Sequence, residues 1–104
     1  MDEIEKLSEV FKALADPTRL RLVKLLSECS SGKCTGALCV NALAHRVGVT
    51  QSAVSQHLRV LRQAGLVRGE RRGHFVHYSL DRDELKQHKA RLRETLGEDF
   101  LVIE

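Results

Sequence analysis

Apolar residues recur along this chain in two different periods. Over about residues 3–14, Ile4, Leu7, Val10, Phe11 and Leu14 fall on one helical face, opposite Glu5, Lys6, Ser8, Glu9 and Lys12. Asp16-Pro17 restarts the chain, because Asp caps a helix well and Pro suits its first position. The second helix runs to about Glu28 with a wide apolar face, Leu20, Leu22, Val23, Leu25 and Leu26, and only Arg21, Lys24 and Glu28 as a clear polar strip. Such a face predicts a helix at the centre of a bundle. A loop-like stretch, Cys29 to Gly36, precedes a short third helix over about Leu38–Val47. Gly48-Val49 then turns the chain, Thr50 caps a fourth helix, and that helix runs to Ala64 with Gly65 as its stop. On the fourth helix Val54, Leu58 and Leu61 lie together, with Ala53, Val60 and Ala64 beside them. Its other face is Gln51, Ser52, Ser55, Gln56, Arg59, Arg62 and Gln63, with no acid and no large apolar residue.

The period changes to two over residues 66–80. Leu66 to Arg71 and His74 to Leu80 flank Arg72-Gly73 and predict a β-hairpin, with Val76, Tyr78 and Leu80 on one face and Phe75, His77 and Ser79 on the other. The last helix begins after Asp81, with Glu84 placed to complete a capping box, and Gly97 ends it. Leu85, Leu92 and Leu96 form a narrow stripe, which suits a seam against another helix. The tail, Phe100 to Ile103, is apolar enough to dock on a partner subunit. The order is mainly α with a β-hairpin wing: one winged helix-turn-helix domain over 1–104, with the helix-turn-helix at about 38–64, the wing at about 66–80, and dimerisation helices at about 3–14 and 82–96.

Charge sharpens this picture. The 104 residues carry a net +3, but residues 41–80 hold Arg46, Arg59, Arg62, Arg68, Arg71 and Arg72 against Glu70 alone. Arginine grips phosphate and guanine edges bidentately. The first forty residues balance, and the last twenty-four are slightly acidic. With 42% hydrophobic and 30% charged residues the chain has a globular composition. It has no membrane-length apolar run and an acidic start unlike a signal peptide, so a cytoplasmic protein with no membrane partner is expected. Three cysteines, Cys29, Cys34 and Cys39, fit free thiols in a reducing compartment better than a disulfide framework.

Together these signals point to double-stranded DNA. Ala44 permits close helix approach, Gly48 takes the turn, and Val49 and Val54 plug the corner. The polar face that follows suits a major groove, where Gln51, Ser52, Ser55, Gln56 and Arg59 would face bases and nearby phosphates. Thr50 would cap the helix and touch phosphate, while Arg71, Arg72 and His74 would reach DNA from the wing. A dimer would present two such heads to a near-palindromic operator. Histidines 57, 77 and 45 are read as packed, exposed and helix-terminal respectively. Catalysis is not expected: Cys39 and His45 do not face each other, and no nucleophile elbow or phosphate loop is present. A protein- or RNA-interaction module is the other class, but aromatics are only 4% of the chain.

The segments Phe11 to Arg21, Ser52 to Val67 and Arg71 to Leu80 resemble, in that order, the signature stretches of the ArsR/SmtB repressors. The resemblance spans about residues 4–96 and implies a winged-helix homodimer whose repression is relieved by an inducer. It departs at the effector site. Members similar to this chain carry Cys-Val-Cys-Asp at the third helix and bind soft metals or arsenite there; here Leu38-Cys39-Val40-Asn41 keeps only the first thiol. Cys34 and Cys29 stand upstream, so the three thiols are candidates for a soft metal or metalloid ion or for a redox bridge, and equally for core and incidental roles. No cofactor is certain. The zinc site that other members place on the last helix would fall on Asp81, Asp83, Glu84, His88, Glu94 and Glu98, without the matching histidines, and a salt bridge is the simpler role for Glu84 and His88. A regulator of the same fold with no metal or thiol effector remains the alternative.

Overall fold

A computed structural model describes residues 1–29 and 38–98. The elements run α1 (Glu3–Leu14), α2 (Pro17–Glu28), β1 (Leu38–Cys39), α3 (Val40–Val47), α4 (Gln51–Gln63), β2 (Val67–Arg72), β3 (Phe75–Leu80) and α5 (Arg82–Leu96). Each long helix starts where a side-chain oxygen can take an orphan amide. Asp2 accepts from Glu5 N at 2.8 Å, Asp16 from Arg19 N at 3.0 Å, Thr50 from Ala53 N at 3.1 Å and Asp81 from Glu84 N at 3.2 Å. Between α3 and α4, Gly48 adopts φ 78°, a left-handed turn that a side chain would strain, and its N–H closes α3 on Ala44 O at 2.9 Å.

The core gathers around α4. Leu22 and Leu26 of α2, Leu43 of α3, Val54, Leu58 and Leu61 of α4, and Val67 of β2 are fully buried. Each such aliphatic side chain stabilises the fold by about 1.5–3 kcal/mol relative to exposure. The Val54, Leu58 and Leu61 face expected on α4 is thus the one buried, while Val60 beside it stays exposed. On α2 the apolar face is narrower than its pattern suggests: Leu20 is 51% exposed. On α1, Leu7, Val10 and Ala13 are buried, while Ile4 and Phe11 stay 60% and 44% exposed.

The wing differs from a simple hairpin. β1, β3 and β2 form a three-stranded antiparallel sheet in that order. Leu38 pairs with Tyr78, and Cys39 with His77, so α3 begins at Val40 rather than Leu38. The register places Val67, Gly69, Arg71, Val76, Tyr78, Leu80 and Leu38 on one face. Arg68, Glu70, Arg72, Phe75, His77, Ser79 and Cys39 share the other. Among the described residues no helix is long and apolar enough to cross a membrane.

Candidate nucleic-acid interface

The α3–turn–α4 unit holds its second helix with one face in the core and the other in solvent. Thr50, Gln51, Ser52, Ser55, Gln56 and Arg59 are all exposed, as is Arg62. No acidic side chain lies on that face, so its field is positive and its polar groups are mostly donors. Gln51 is the exception to their freedom: its Nε2 donates to Asn41 Oδ1 on α3 at 2.9 Å. Asn41 stands where the expected second effector thiol is missing, and it steadies a candidate base reader.

The wing adds Arg71, Arg72 and His74, all exposed. Arg72 lies 3.8 Å from Glu70, an open pair worth little in water. Phe75, beside them, is 61% exposed. Where β3 approaches α4, a cleft of about 330 Å3 is lined by Ser55, Gln56, Arg59, Arg62 and Tyr78.

The opposite side of α4 is anchored. Arg19 donates through Nε to Ala13 O at 2.6 Å and through Nη2 to Lys12 O at 3.3 Å, and its Nη1 reaches His57 Nδ1 at 3.3 Å. Because a guanidinium only donates, His57 Nδ1 is the acceptor. The same nitrogen lies 4.0 Å from Asp16. Asp16 is held below its ordinary value of 3.8 chiefly by the Arg19 amide that it caps. His57, read as packed, is half-buried and joins the α1–α2 corner to α4.

A second tether grips the end of α4. Gly65 O accepts from His88 Nε2 at 3.1 Å, which leaves His88 Nδ1 to accept from Arg91 Nη1 at 3.0 Å. Arg91 Nε in turn donates to Glu3 at 2.5 Å, and this contact holds the Glu3 carboxyl below its ordinary value of 4.5. Gly65 has φ 74°, and a Cβ there would stand 3.0 Å from His88 Nε2, so this junction admits no side chain without displacing the tether. His88 thus spends both ring nitrogens inside the fold. Asp81 caps α5, and among the described residues no three His, Cys, Asp or Glu side chains are grouped as metal ligands.

The thiols do not match the expectation of three free cysteines. Cys29, buried at the end of α2, is disulfide-bonded, and its partner lies outside the described residues; Cys39 is free and half-buried. Close spacing of cysteines around one short loop makes such a bridge sterically accessible, which the odd count obscured. Cys34 lies outside the described residues, as does the apolar tail. His77 also departs from its reading as exposed. It is half-buried between Cys39 and Glu70 in the sheet, and its Nδ1 is buried with no hydrogen-bond partner among the described residues. Strand pairing with β1, invisible to periodicity, covers it. Arg62 and Tyr78, which line the cleft, were not among the expected site residues; the three-residue step from Arg59 to Arg62 was the available signal.

A family model described as bacterial regulatory protein, arsR family, matches residues 16–68. The chain is 44% identical over 80 residues to a transcriptional repressor, the SmtB homolog of Synechocystis, covering 77% of this chain and 55% of that protein. It is 43% identical over 72 residues to the arsenical resistance operon repressor of Escherichia coli, covering 69% of this chain and 56% of that protein. It therefore spans little more than half the length of these two relatives. Its fold matches the homodimeric winged helix-turn-helix DNA-binding domain of a Mycobacterium bovis protein with a TM-score of 0.68, at 27% identity, covering 84% of this chain and 75% of that one.

Proposed function

This chain belongs to the ArsR family of bacterial regulatory proteins, and we propose that it acts there as a homodimeric repressor that grips a near-palindromic operator and releases it when its cysteines change state. It is a regulator and not an enzyme. The observation that carries the reading is the asymmetry of α4: an exposed face of donors toward solvent, and rear edges locked by Arg19 and His88. A helix seated in this way inserts into a major groove without its backbone having to be ordered first. Gln51, Ser52, Ser55 and Gln56 face the bases, Thr50 a phosphate, and Arg71, Arg72 and His74 the flanking backbone or minor groove.

Dimer formation is supported by apolar side chains that the single chain leaves open on the expected helices: Ile4 and Phe11 on α1 and Leu96, 44% exposed, on α5. The Mycobacterium bovis domain of the same fold is itself homodimeric. The thiol part of the reading is supported by the two states its cysteines display, Cys29 bridged and Cys39 free, on either side of the segment leading into the helix-turn-helix. Reduction of the bridge would add thiolates for a soft metalloid such as arsenite, a class that the name of the Escherichia coli relative also brings to mind.

The test is fluorescence anisotropy with a labelled fragment from upstream of the protein's own gene. Reduced and oxidised protein are each titrated, with and without arsenite or Cd(II). A change of at least tenfold in affinity that vanishes in the Cys29→Ser/Cys34→Ser/Cys39→Ser variant supports thiol-controlled release. Tight, specific binding indifferent to oxidation state and to both ions leaves a repressor without a thiol effector.

A further inference from the structure

The cleft between α4 and the wing has a composition that DNA binding in general does not require. All five lining side chains, Ser55, Gln56, Arg59, Arg62 and Tyr78, can donate a hydrogen bond, and none is an acid. Among the described residues none of the five side chains has a hydrogen-bond or ion-pair partner. Arg19 and Arg91, by contrast, each meet three partners. Arg59 and Arg62 are neighbours on one helix at a three-residue step, where like charges repel. The pair therefore keeps its donors open to water and to any anion that enters.

The fourth wall is built with some care. Tyr78 sits in the central strand, paired to Leu38 on one side and Gly69 on the other. Its ring lies over Gly69: a Cβ there would stand 3.1 Å from Tyr78 Cε1 and 3.1 Å from Val76 Cγ1. The missing side chain at residue 69 is what lets the tyrosine lie flat and border the cleft.

We propose that this cleft is a seat for one phosphodiester of the DNA backbone, held between Arg59 and Arg62 with Ser55 and Tyr78 as neutral donors. The inference rests on the reading that the protein binds DNA, and it changes two assignments within it. Arg59, expected to face bases and nearby phosphates, here works with Arg62 on the backbone, Ser55 moves from the bases to the same phosphate, and sequence choice is left to Gln51, Ser52 and Gln56. Two guanidinium groups suit a phosphate's spread charge and fork geometry. A free phosphate has the same chemistry and is the competing occupant.

The experiment compares the full chain with its Arg59→Ala, Arg62→Ala, Arg62→Lys and Tyr78→Phe variants, each checked for an unchanged thermal melt. Binding is measured to the upstream fragment and to unrelated DNA of equal length across a salt series. A single neutral methylphosphonate is then walked along each strand. Either Arg→Ala change is expected to weaken both DNAs by the same factor of about 10 and to lower the salt slope by about one. Arg62→Lys recovers part of this, and Tyr78→Phe costs about threefold. One methylphosphonate position per half-site weakens the wild type as Arg62→Ala does, and weakens that variant no further. Loss confined to the upstream fragment with an unchanged salt slope makes the arginines base readers and overturns the proposal. So does a methylphosphonate walk with no position coupled to Arg62. Saturable binding of inorganic phosphate at fixed ionic strength, lost in Arg62→Ala while DNA affinity is unchanged, assigns the cleft to free phosphate and overturns it too. A wild type that binds neither DNA fails the DNA reading itself and is distinguishable from all of these.

Discussion

Two edges of the same helix use arginine in opposite ways. Behind α4, Arg19 meets two main-chain carbonyls and an imidazole, and Arg91 reaches His88, Gln87 and Glu3. In front of it, Arg59 and Arg62 point into an open cleft and have no such partner among the described residues. The rear arginines spend their donors on holding the helix in place. The front arginines keep theirs for something outside the chain. Net charge cannot tell these roles apart, since all four count alike in the total.

The contrast can be broken at its root. Leu58→Ala, a fully buried position on α4, is expected to cost about 2–5 kcal/mol in chemical denaturation and to remove both roles together. If the variant melts like the wild type, the helix is not seated as described. A sharper cut pairs Arg19→Ala with Arg59→Ala. The first should lose about 1.5–3 kcal/mol of folding stability, because hydrogen bonds to charged groups are lost at a part-buried site. The second should stay within about 0.5 kcal/mol, as exposed substitutions do. Equal destabilisation would erase the distinction.

The smallest expected effect is on pH dependence. Asp16 is held below its ordinary value of 3.8, so its contribution is fully present above that pH and fades as pH falls through the lower folded value. Asp16→Asn keeps a capping oxygen but cannot titrate. Urea midpoints at pH 5 and pH 3 should therefore fall less in the variant than in the wild type. A fall of equal size would show that Asp16 carries none of the acid sensitivity, leaving Glu3, which is depressed in the same direction by Arg91.

Much of this was legible from local chemistry. The caps at Asp16, Thr50 and Asp81, the turn at Gly48 and the donor face of α4 depend on residues a few positions apart, and periodicity reports those distances well. What escaped depends on pairs far apart in the chain. β1 is two residues long and is defined only by its partners Tyr78 and His77. His88 looked like one half of a surface salt bridge, yet its bonding partner is the main-chain oxygen of Gly65, which no side-chain pattern marks. Leu20 counted toward a central helix but faces outward, because α2 presents only Leu22 and Leu26 fully to the core.

The short strand β1 also bears on how these molecules coexist at high concentration. By covering one side of β3 it makes that strand central and leaves two edges, its own two residues and the longer β2. A bare strand edge is a template on which another chain can add and propagate. Past Val67 the β2 edge reads Arg68, Gly69, Glu70, Arg71, Arg72, so an incoming strand meets charge at nearly every step. The wing's arginines therefore guard against strand-to-strand aggregation. Neutralising them to weaken DNA binding would also make the protein stickier to itself.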